Sequence, residues 1–178
     1  MRIIGGSLKG KTIIPPSGLK ARPTTDFAKE GLFNVLTNEI EFEETSVLDL
    51  FAGTGSISFE FASRGCKEIV AVEMNPMQAD FIRKTAGKLG LSSLIVVRHN
   101  VFDFINICTR RFDIVFADPP YQLEGIDTIP DRVIEHNILA DNGYLILEHP
   151  NELNFTGYPY FVKEKRYGNV HFTFFKKV

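Results

Sequence analysis

The sequence has 178 residues, of which 44% are hydrophobic and 24% are charged. This length and composition suit one globular domain and argue against a disordered chain or a multidomain assembly. The formal net charge of −2 also excludes a polycation that would bind nucleic acid through bulk charge alone.

Charge is distributed unevenly along the chain. Residues 1–29 contain six basic side chains and one acidic one, and residues 163–178 contain five and one, so the two ends together have a charge of +9. The residues between them have a charge of −11. The sequence therefore predicts an acidic body with basic ends, which is compatible either with a polyanionic partner or with ordinary solvated lysines.

The two cysteines, Cys66 and Cys108, lie far apart and have no second Cys or His at metal-ligand spacing. This argues against a disulfide framework and against a zinc site, so we expect both side chains to serve packing. The N-terminus lacks a signal-peptide core, and no apolar run approaches the ~20 residues that a membrane span requires. We therefore expect a cytoplasmic protein without a membrane partner.

The N-terminal stretch predicts a small β-hairpin. Two isoleucine pairs lie on either side of a glycine-rich stretch at residues 5–10, and the pattern ends at Pro15. An amphipathic helix is expected next, because Thr25 or Asp26 can cap it and apolar residues follow at helical spacing. The apolar residues of this helix are Ala28, Leu32, Val35, Leu36 and Ile40.

From residue 46 onward, short β-rich runs alternate with helix-length segments. This alternation predicts a parallel sheet with helices on both faces. The end of the chain differs, because two β-rich runs at 160–165 and 170–175 flank Gly168 and Asn169 and predict an antiparallel hairpin. The strands expected before it cover residues 47–50, 69–72, 94–97, 114–116 and 144–147.

The strongest local signal is a buried strand that runs into a glycine turn, VLDLFAGTG at residues 47–55. A helix is expected to follow at 56–64, so a ligand could approach bare backbone at the helix start. Two details argue against a nicotinamide dinucleotide: Ser58 replaces the third glycine of G-x-G-x-x-G, and Asp49 would repel a pyrophosphate. A carboxylate at that position suits a cationic ligand.

Two further strand ends have residues suited to a nucleoside. Glu73, eighteen residues after Gly55, can accept both hydroxyls of a ribose, and the Asn100 amide and the Val101 N–H can contact an adenine edge. Together with Asp49, these residues describe a ligand with adenosine at one end and an ammonium group at the other. S-adenosylmethionine has this form and contains no phosphate.

A fourth strand runs into Asp118-Pro119-Pro120-Tyr121. Proline has no N–H and a fixed φ, so the Pro119 carbonyl is available as an acceptor beside the Asp118 carboxylate. Two such acceptors match the two N–H bonds of an exocyclic amine and would orient its lone pair toward a methyl group. Tyr121 supplies a ring on which a nucleobase could stack.

These motifs resemble the S-adenosylmethionine loop and the D/N-P-P-Y/F motif of class I amino-methyltransferases. The opening MRIIGG and KGK, the segment RPTTD at 22–26 and LFN at 32–34 narrow the resemblance to the RsmD family of small-subunit rRNA guanine-N2 methyltransferases. The match covers essentially the full chain.

The resemblance implies a Rossmann-like α/β fold with a mostly parallel seven-stranded sheet, an antiparallel C-terminal hairpin and a small N-terminal β-hairpin extension. We expect a single methyltransferase domain over residues 1–178, with the basic extension at 1–25 and the catalytic core at 26–178. The chemistry implied is direct transfer of a methyl group to guanine N2, with neither a metal nor a covalent enzyme intermediate.

The resemblance also implies roles for individual residues, although Asn100 stands where many relatives have Asp. The residues expected to bind the cofactor are Asp49, Phe51, Gly53, Gly55, Glu73, Asn100 and Val101. The residues expected at the target guanine are Asp118, Pro119 and Tyr121. The residues expected to contact rRNA are Lys9, Lys11, Lys20, Arg22 and Thr24, of which Arg22 and Thr24 could instead close over the cofactor. The expected partner is rRNA or the small ribosomal subunit, bound by a monomer.

Other functions stay open at this point. The same acceptor pair suits the N6 amine of adenine in DNA or the amide of a protein glutamine. The DNA substrate is disfavoured, because only about 45 residues precede the first sheet strand and no target-recognition domain fits in the chain. A non-catalytic RNA-binding protein is a further alternative, against which the intact residues 118–121 argue. A nicotinamide oxidoreductase is the last alternative function.

Overall fold

The computed structural model describes residues 1–19 and 24–177, so Lys20 and Arg22 lie outside the described residues. The strands are β1 (Ser46–Asp49), β2 (Glu68–Val72), β3 (Leu94–Val97), β4 (Phe112–Ala117), β5 (Leu139–His149), β6 (Phe161–Tyr167) and β7 (Val170–Lys176). The α-helices are α1 (Asp26–Thr37), α2 (Ser56–Ser63), α3 (Pro76–Leu89), α4 (Val101–Ile107) and α5 (Ile129–Glu135).

The strands form one sheet in the order β3-β2-β1-β4-β5-β7-β6. Strands β1 to β5 pair in parallel, and β7 runs antiparallel to both β5 and β6. The expected seven-stranded, mostly parallel sheet with an antiparallel C-terminal hairpin is confirmed. The order reverses between β1 and β4, and the carboxyl ends of the strands beside such a reversal form the ligand crevice of open α/β sheets.

Both faces of the sheet are apolar. Ile114 and Phe116 of β4 belong to one hydrophobic core, and Val115 and Ala117 belong to a second core on the opposite face. Helices α1, α2 and α3 contribute to the first core, and α4 and α5 contribute to the second. Because both faces are occupied, the strand ends are where a site is expected. No described helix is both long and apolar enough to cross a membrane.

The N-terminal extension folds back on itself as predicted, but its two sides are joined by an isolated bridge rather than by two full strands. Arg2 and Thr12 form an antiparallel bridge, and the Met1 carbonyl accepts from the Ile13 N–H at 2.8 Å. The extension packs against α2, where a Cβ on Gly6 would lie 1.9 Å from the Ser63 carbonyl oxygen. Gly6 also has a φ of 73°. A larger residue at this position would therefore both clash with the Ser63 carbonyl and strain the backbone.

A buried ionic cluster joins the extension to α1 and α2. Lys29 is 1% exposed; its Nζ lies 3.7 Å from Glu60 Oε2 and donates to the Arg2 carbonyl at 2.5 Å. The other Glu60 oxygen contacts the Arg64 guanidinium at 3.1 Å. Lys29 is one of the six basic residues at 1–29 that, from the distribution of charge, could face a polyanion. That expectation is wrong for Lys29, because its ammonium is buried beside Glu60.

Two element boundaries differ from the sequence prediction. Helix α1 is capped by Thr25, whose Oγ1 accepts from the Ala28 N–H at 3.1 Å, but it ends before Ile40. Strand β5 begins at residue 139 rather than 144. The start of β5 could not be predicted because it contains the polar segment ADN. Asn142 has a φ of 63°, and the pairing of β5 with β4 shifts register between Leu139 and Tyr144.

Candidate active site

A cavity of about 450 Å³ opens beside the reversal of strand order. This volume lies in the range of small-molecule sites. Four carboxylates, each at or next to the end of a strand, line it, and none of its described lining residues is Lys, Arg or His. The cavity is therefore acidic and suits a cationic or donor-rich ligand. The carboxylates are Asp49, Glu73, Asp118 and Glu148.

The cavity has two sides that we name by their strands. The β1–β3 side consists of residues at the ends of the first three strands, and the β4–β5 side of residues at the ends of the next two. The β1–β3 side comprises Asp49, Phe51, Gly53, Glu73, Asn100 and Val101. The β4–β5 side comprises Asp118, Pro119, Tyr121 and Glu148.

Asp49 is the last residue of β1 and is 1% exposed. Its Oδ2 accepts from the Ser58 hydroxyl at 2.6 Å, while its Oδ1 is buried and has no hydrogen-bond partner among the described residues. Burial raises the pKa of this carboxyl to about 7, and the nearby Glu73 carboxylate also raises it. A cationic donor at Oδ1 would satisfy both the charge and the missing hydrogen bond.

Glu73 follows β2 and holds two loops in place. Its Oε2 accepts from the Gly53 N–H at 2.8 Å, and its Oε1 accepts from the Asn75 N–H at 2.7 Å. Burial raises the pKa of Glu73 despite these bonds. Each carboxylate oxygen keeps a second lone pair, so Glu73 can still accept from a pair of ligand hydroxyls.

Gly55 is the one expected cofactor residue that does not border the cavity. It precedes α2 with a φ of 84°, and a Cβ there would lie 2.8 Å from the Phe59 ring. Its N–H donates to the Ala52 carbonyl at 2.7 Å. Gly55 therefore turns the chain so that the first residues of α2, including Ser56, face the cavity. A direct contact with a ligand stays a prediction.

Asn100 borders the cavity as the N-cap of α4. Its Oδ1 accepts from the Phe102 N–H at 2.9 Å and from the Asp103 N–H at 3.2 Å. Its Nδ2 lies 3.9 Å from the Met74 sulfur. The Asn100 amide as a whole was expected to contact an adenine edge, but its oxygen is already used within the helix cap. The amide N–H₂ group and the Val101 backbone N–H are left for a ligand.

The β4–β5 side contains the motif that follows β4. Asp118 is half-buried, Pro119 is buried, and both border the cavity. The Tyr121 hydroxyl donates to Glu148 Oε1 at 3.1 Å, so this ring is anchored to the end of β5. Stacking of a base on Tyr121 stays a prediction.

Glu148 is a cavity residue that the sequence analysis missed. It lies near the end of β5, is 5% exposed, and pairs with Phe172 of β7. The available signal was a single acidic residue after the four residues YLIL. Burying an ionised side chain is costly unless it is paired, so such an acid indicates a functional position.

The residues expected to contact RNA separate into two groups. Thr24 borders the cavity, whereas Lys9 and Lys11 are exposed on the extension and do not border it. Part of the C-terminal basic charge is paired internally, because Lys163 contacts Glu39 at 2.5 Å and Arg166 contacts Glu164 at 2.7 Å. Those side chains are less available to a polyanion than the sequence indicates.

Comparisons with known proteins agree with this architecture. The family model described as conserved hypothetical protein 95 matches residues 1–176. Ribosomal RNA small subunit methyltransferase D from Buchnera aphidicola is 28% identical over 100% of this chain and 92% of its own.

Two solved structures are similar along most of this chain. The methyltransferase yhhF from Escherichia coli superposes with a TM-score of 0.86 at 28% identity, covering 99% of this chain and 97% of its own. The Thermus thermophilus 16S rRNA N2 G1207 methyltransferase RsmC, solved with AdoMet and guanosine, has a TM-score of 0.71 at 22% identity, covering 90% of this chain and 46% of its own. The second likeness shows a shared fold.

Proposed function

Because the chain belongs to the RsmD family of methyltransferases, we propose that it uses S-adenosylmethionine to methylate small-subunit rRNA. The acceptor that we propose is the exocyclic N2 amine of a guanine. One observation supports this most: the buried Asp49 carboxylate and the Asp118-Pro119 acceptors line the same acidic cavity. This favours a cationic donor and an amine acceptor that meet in one place.

The β1–β3 side fits S-adenosylmethionine, which supplies an electrophilic methyl group when bound. Asp49 Oδ1 would accept a hydrogen bond from the ammonium group, because it is buried and has no partner among the described residues. Glu73 would accept from the ribose hydroxyls with its remaining lone pairs. The four carboxylates that line the cavity would repel the pyrophosphate of a dinucleotide.

The β4–β5 side fits a conjugated amine. The Asp118 carboxylate and the Pro119 carbonyl would each accept one of the two N–H bonds of the amine. These bonds hold the nitrogen in place and favour the pyramidal geometry in which its lone pair is free to react. The methylated amine then releases one proton, for which Asp118 is the adjacent base. Tyr121 would stack against the base.

The proposal of rRNA as the substrate rests on the family. The Buchnera relative that matches along the whole chain is named as a methyltransferase of small-subunit rRNA. The exposed Lys9 and Lys11 on the N-terminal extension are suited to contact phosphates outside the cavity.

The deciding experiment incubates the protein with methyl-labelled S-adenosylmethionine and, in parallel, unmethylated small ribosomal subunits, naked rRNA and duplex DNA. Mass spectrometry of the digested nucleosides then identifies the labelled base. We expect N2-methylguanosine from subunits or rRNA. N6-methyladenine in DNA would overturn the substrate but keep the amine chemistry. Tight cofactor binding without any labelled nucleic acid would instead favour a protein glutamine substrate or a binding role.

A further inference from the structure

Glu148 and Asp118 occupy matching positions on neighbouring strands. Ala117 of β4 pairs with Leu147 of β5 in parallel register. Asp118, which directly follows β4, and Glu148 of β5 are therefore the next residues along the chain from this pair. Adjacent strands lie about 4.8 Å apart, which brings the two acids side by side at the same end of the sheet.

Both acids border the same cavity, and the alternation of side chains along β5 accounts for the direction of Glu148. Ala117 and Leu147 belong to the second hydrophobic core, whereas the residues before them, Phe116 and Ile146, belong to the first. Successive side chains of a strand point to opposite faces, so Glu148, which follows Leu147 within β5, returns to the face of the first core.

The residues before Glu148 on β5 and its partner on β7 are apolar. The preceding residues of β5, Leu145, Ile146 and Leu147, are fully buried, and Phe172, its partner on β7, is also fully buried. An apolar residue would pack among these neighbours without the cost of burying a carboxylate. The Tyr121 hydroxyl, at 3.1 Å from Oε1, orients the Glu148 carboxylate within the cavity.

Guanine presents three N–H bonds along one edge: two on the N2 amine and one on the adjacent ring nitrogen N1. The function proposed above uses Asp118 and Pro119 for the N2 amine and leaves the N1–H without an acceptor. Adenine and 2,6-diaminopurine have a lone pair at N1 instead, which a carboxylate would repel.

Resting on that proposed function, we propose that Glu148 accepts the hydrogen bond from guanine N1–H and thereby selects guanine over purines with an unprotonated N1. Glu148 is then a specificity-determining residue at the base edge, and Tyr121 orients its carboxylate. A buried acceptor that meets another acceptor is left unpaired, and this is the strongest form of discrimination by a hydrogen-bonding site.

The test compares two target RNAs that differ at the methylated position, one with guanosine and one with 2,6-diaminopurine. Both bases offer an N2 amine, and only guanine has the N1–H. We expect the unmodified protein to favour guanine by about 100-fold or more in kcat/KM. Glu148→Gln should narrow or reverse this ratio, because its amide can donate to an unprotonated N1. Its affinity for S-adenosylmethionine should stay within about twofold, which also checks folding.

Two further variants separate recognition of the base by Glu148 from the effect of the bond between Glu148 and Tyr121. Tyr121→Phe removes the hydroxyl that contacts Glu148 but keeps the carboxylate. The rate of RNA methylation should therefore fall while the preference for guanine persists. Glu148→Asp keeps the charge on a shorter side chain, so it should methylate guanine more slowly without gaining 2,6-diaminopurine. An unchanged ratio in Glu148→Gln, or efficient methylation of 2,6-diaminopurine by Glu148→Asp, would overturn the inference. Failure of the unmodified protein to methylate guanine would overturn the proposed function itself.

Discussion

The two sides of the cavity hold their carboxylates in different ways. On the β1–β3 side, Asp49 and Glu73 bond to their own surroundings, the Ser58 hydroxyl and the backbone of Gly53 and Asn75. On the β4–β5 side, the Tyr121 hydroxyl bonds to a carboxylate from a neighbouring strand. The first arrangement makes the acids part of the loop structure, whereas the second links two groups that both border the cavity. Substitutions on the two sides should therefore have separable effects.

The largest effect is expected on the β4–β5 side. Asp118→Ala should lower turnover by about 10³-fold, because it removes an acceptor that acts on the reacting amine. The affinity for S-adenosylmethionine should change by less than about twofold, since we propose that Asp118 contacts the target rather than the donor. Single-turnover methylation and calorimetric titration of the cofactor measure the two quantities separately.

Asp118→Asn is the matched control, because it keeps one carbonyl oxygen at the same position. It should retain more activity than the alanine variant and have the same cofactor affinity. If Asp118→Ala weakened cofactor binding as much as turnover, the division of the cavity into two sides would be wrong.

The opposite pattern is expected for Glu73→Ala. Loss of the proposed acceptor for two ribose hydroxyls should weaken S-adenosylmethionine binding by about 100-fold. Turnover at saturating cofactor should change only a few-fold. The same substitution also leaves the Gly53 N–H, now 2.8 Å from Glu73, without its acceptor. Glu73→Gln keeps one carbonyl oxygen and should have an intermediate dissociation constant. Unchanged affinity in the alanine variant would remove Glu73 from the binding site.

A smaller, graded effect is expected from the pH dependence of Asp49. Burial raises the pKa of Asp49 to about 7, so below pH 7 the free protein holds a proton that an ammonium ligand must displace. Cofactor affinity should therefore fall by about tenfold per pH unit between pH 7 and pH 5. Titration calorimetry across this range gives the slope, and Asp49→Asn should remove most of it. A flat profile in the unmodified protein would contradict the role of Asp49.

Folding stability should respond to Asp49 in the opposite sense. The carboxyl has a higher pKa in the folded protein than its usual value of 3.8, so its contribution to stability is present at low pH and is lost as pH rises through about 7. Asp49→Asn should therefore raise the melting temperature at pH 8 while it weakens cofactor binding. Thermal unfolding of both proteins at pH 8 and pH 4 tests this, because the difference should vanish at the lower pH.

The sequence predicted the β1–β3 side of the cavity better than the β4–β5 side. Asp49 and Glu73 each follow an apolar run, and a parallel sheet brings the carboxyl ends of its strands to one edge. Glu148 was missed because it lies inside a strand, where only the pairing of Ala117 with Leu147 shows that it stands beside Asp118. Strand register is a property of the folded sheet and is not visible in a local pattern.

The burial of Lys29 was also not predicted. Lys29 and Glu60 belong to different helices, and their separation along the chain gives no sign that they meet in the interior. Asn100 shows a related limit, since the residue types suited to an adenine edge are also those that cap helices. The sequence identified its position at the cavity correctly, but not the competing bonds of its side-chain oxygen.

The smallest effect is expected outside the cavity, on the N-terminal extension. Replacing Lys9 and Lys11 together with alanine should weaken binding to rRNA or to small subunits at low salt. The slope of log affinity against log salt should fall by about 1 for each phosphate that is no longer neutralised. Cofactor affinity should not change, because neither residue borders the cavity. A matched control replaces Lys84 and Lys88 of α3, which are also exposed, and so removes the same charge elsewhere. Equal changes in both double variants would mean that net charge, rather than the extension, determines RNA binding.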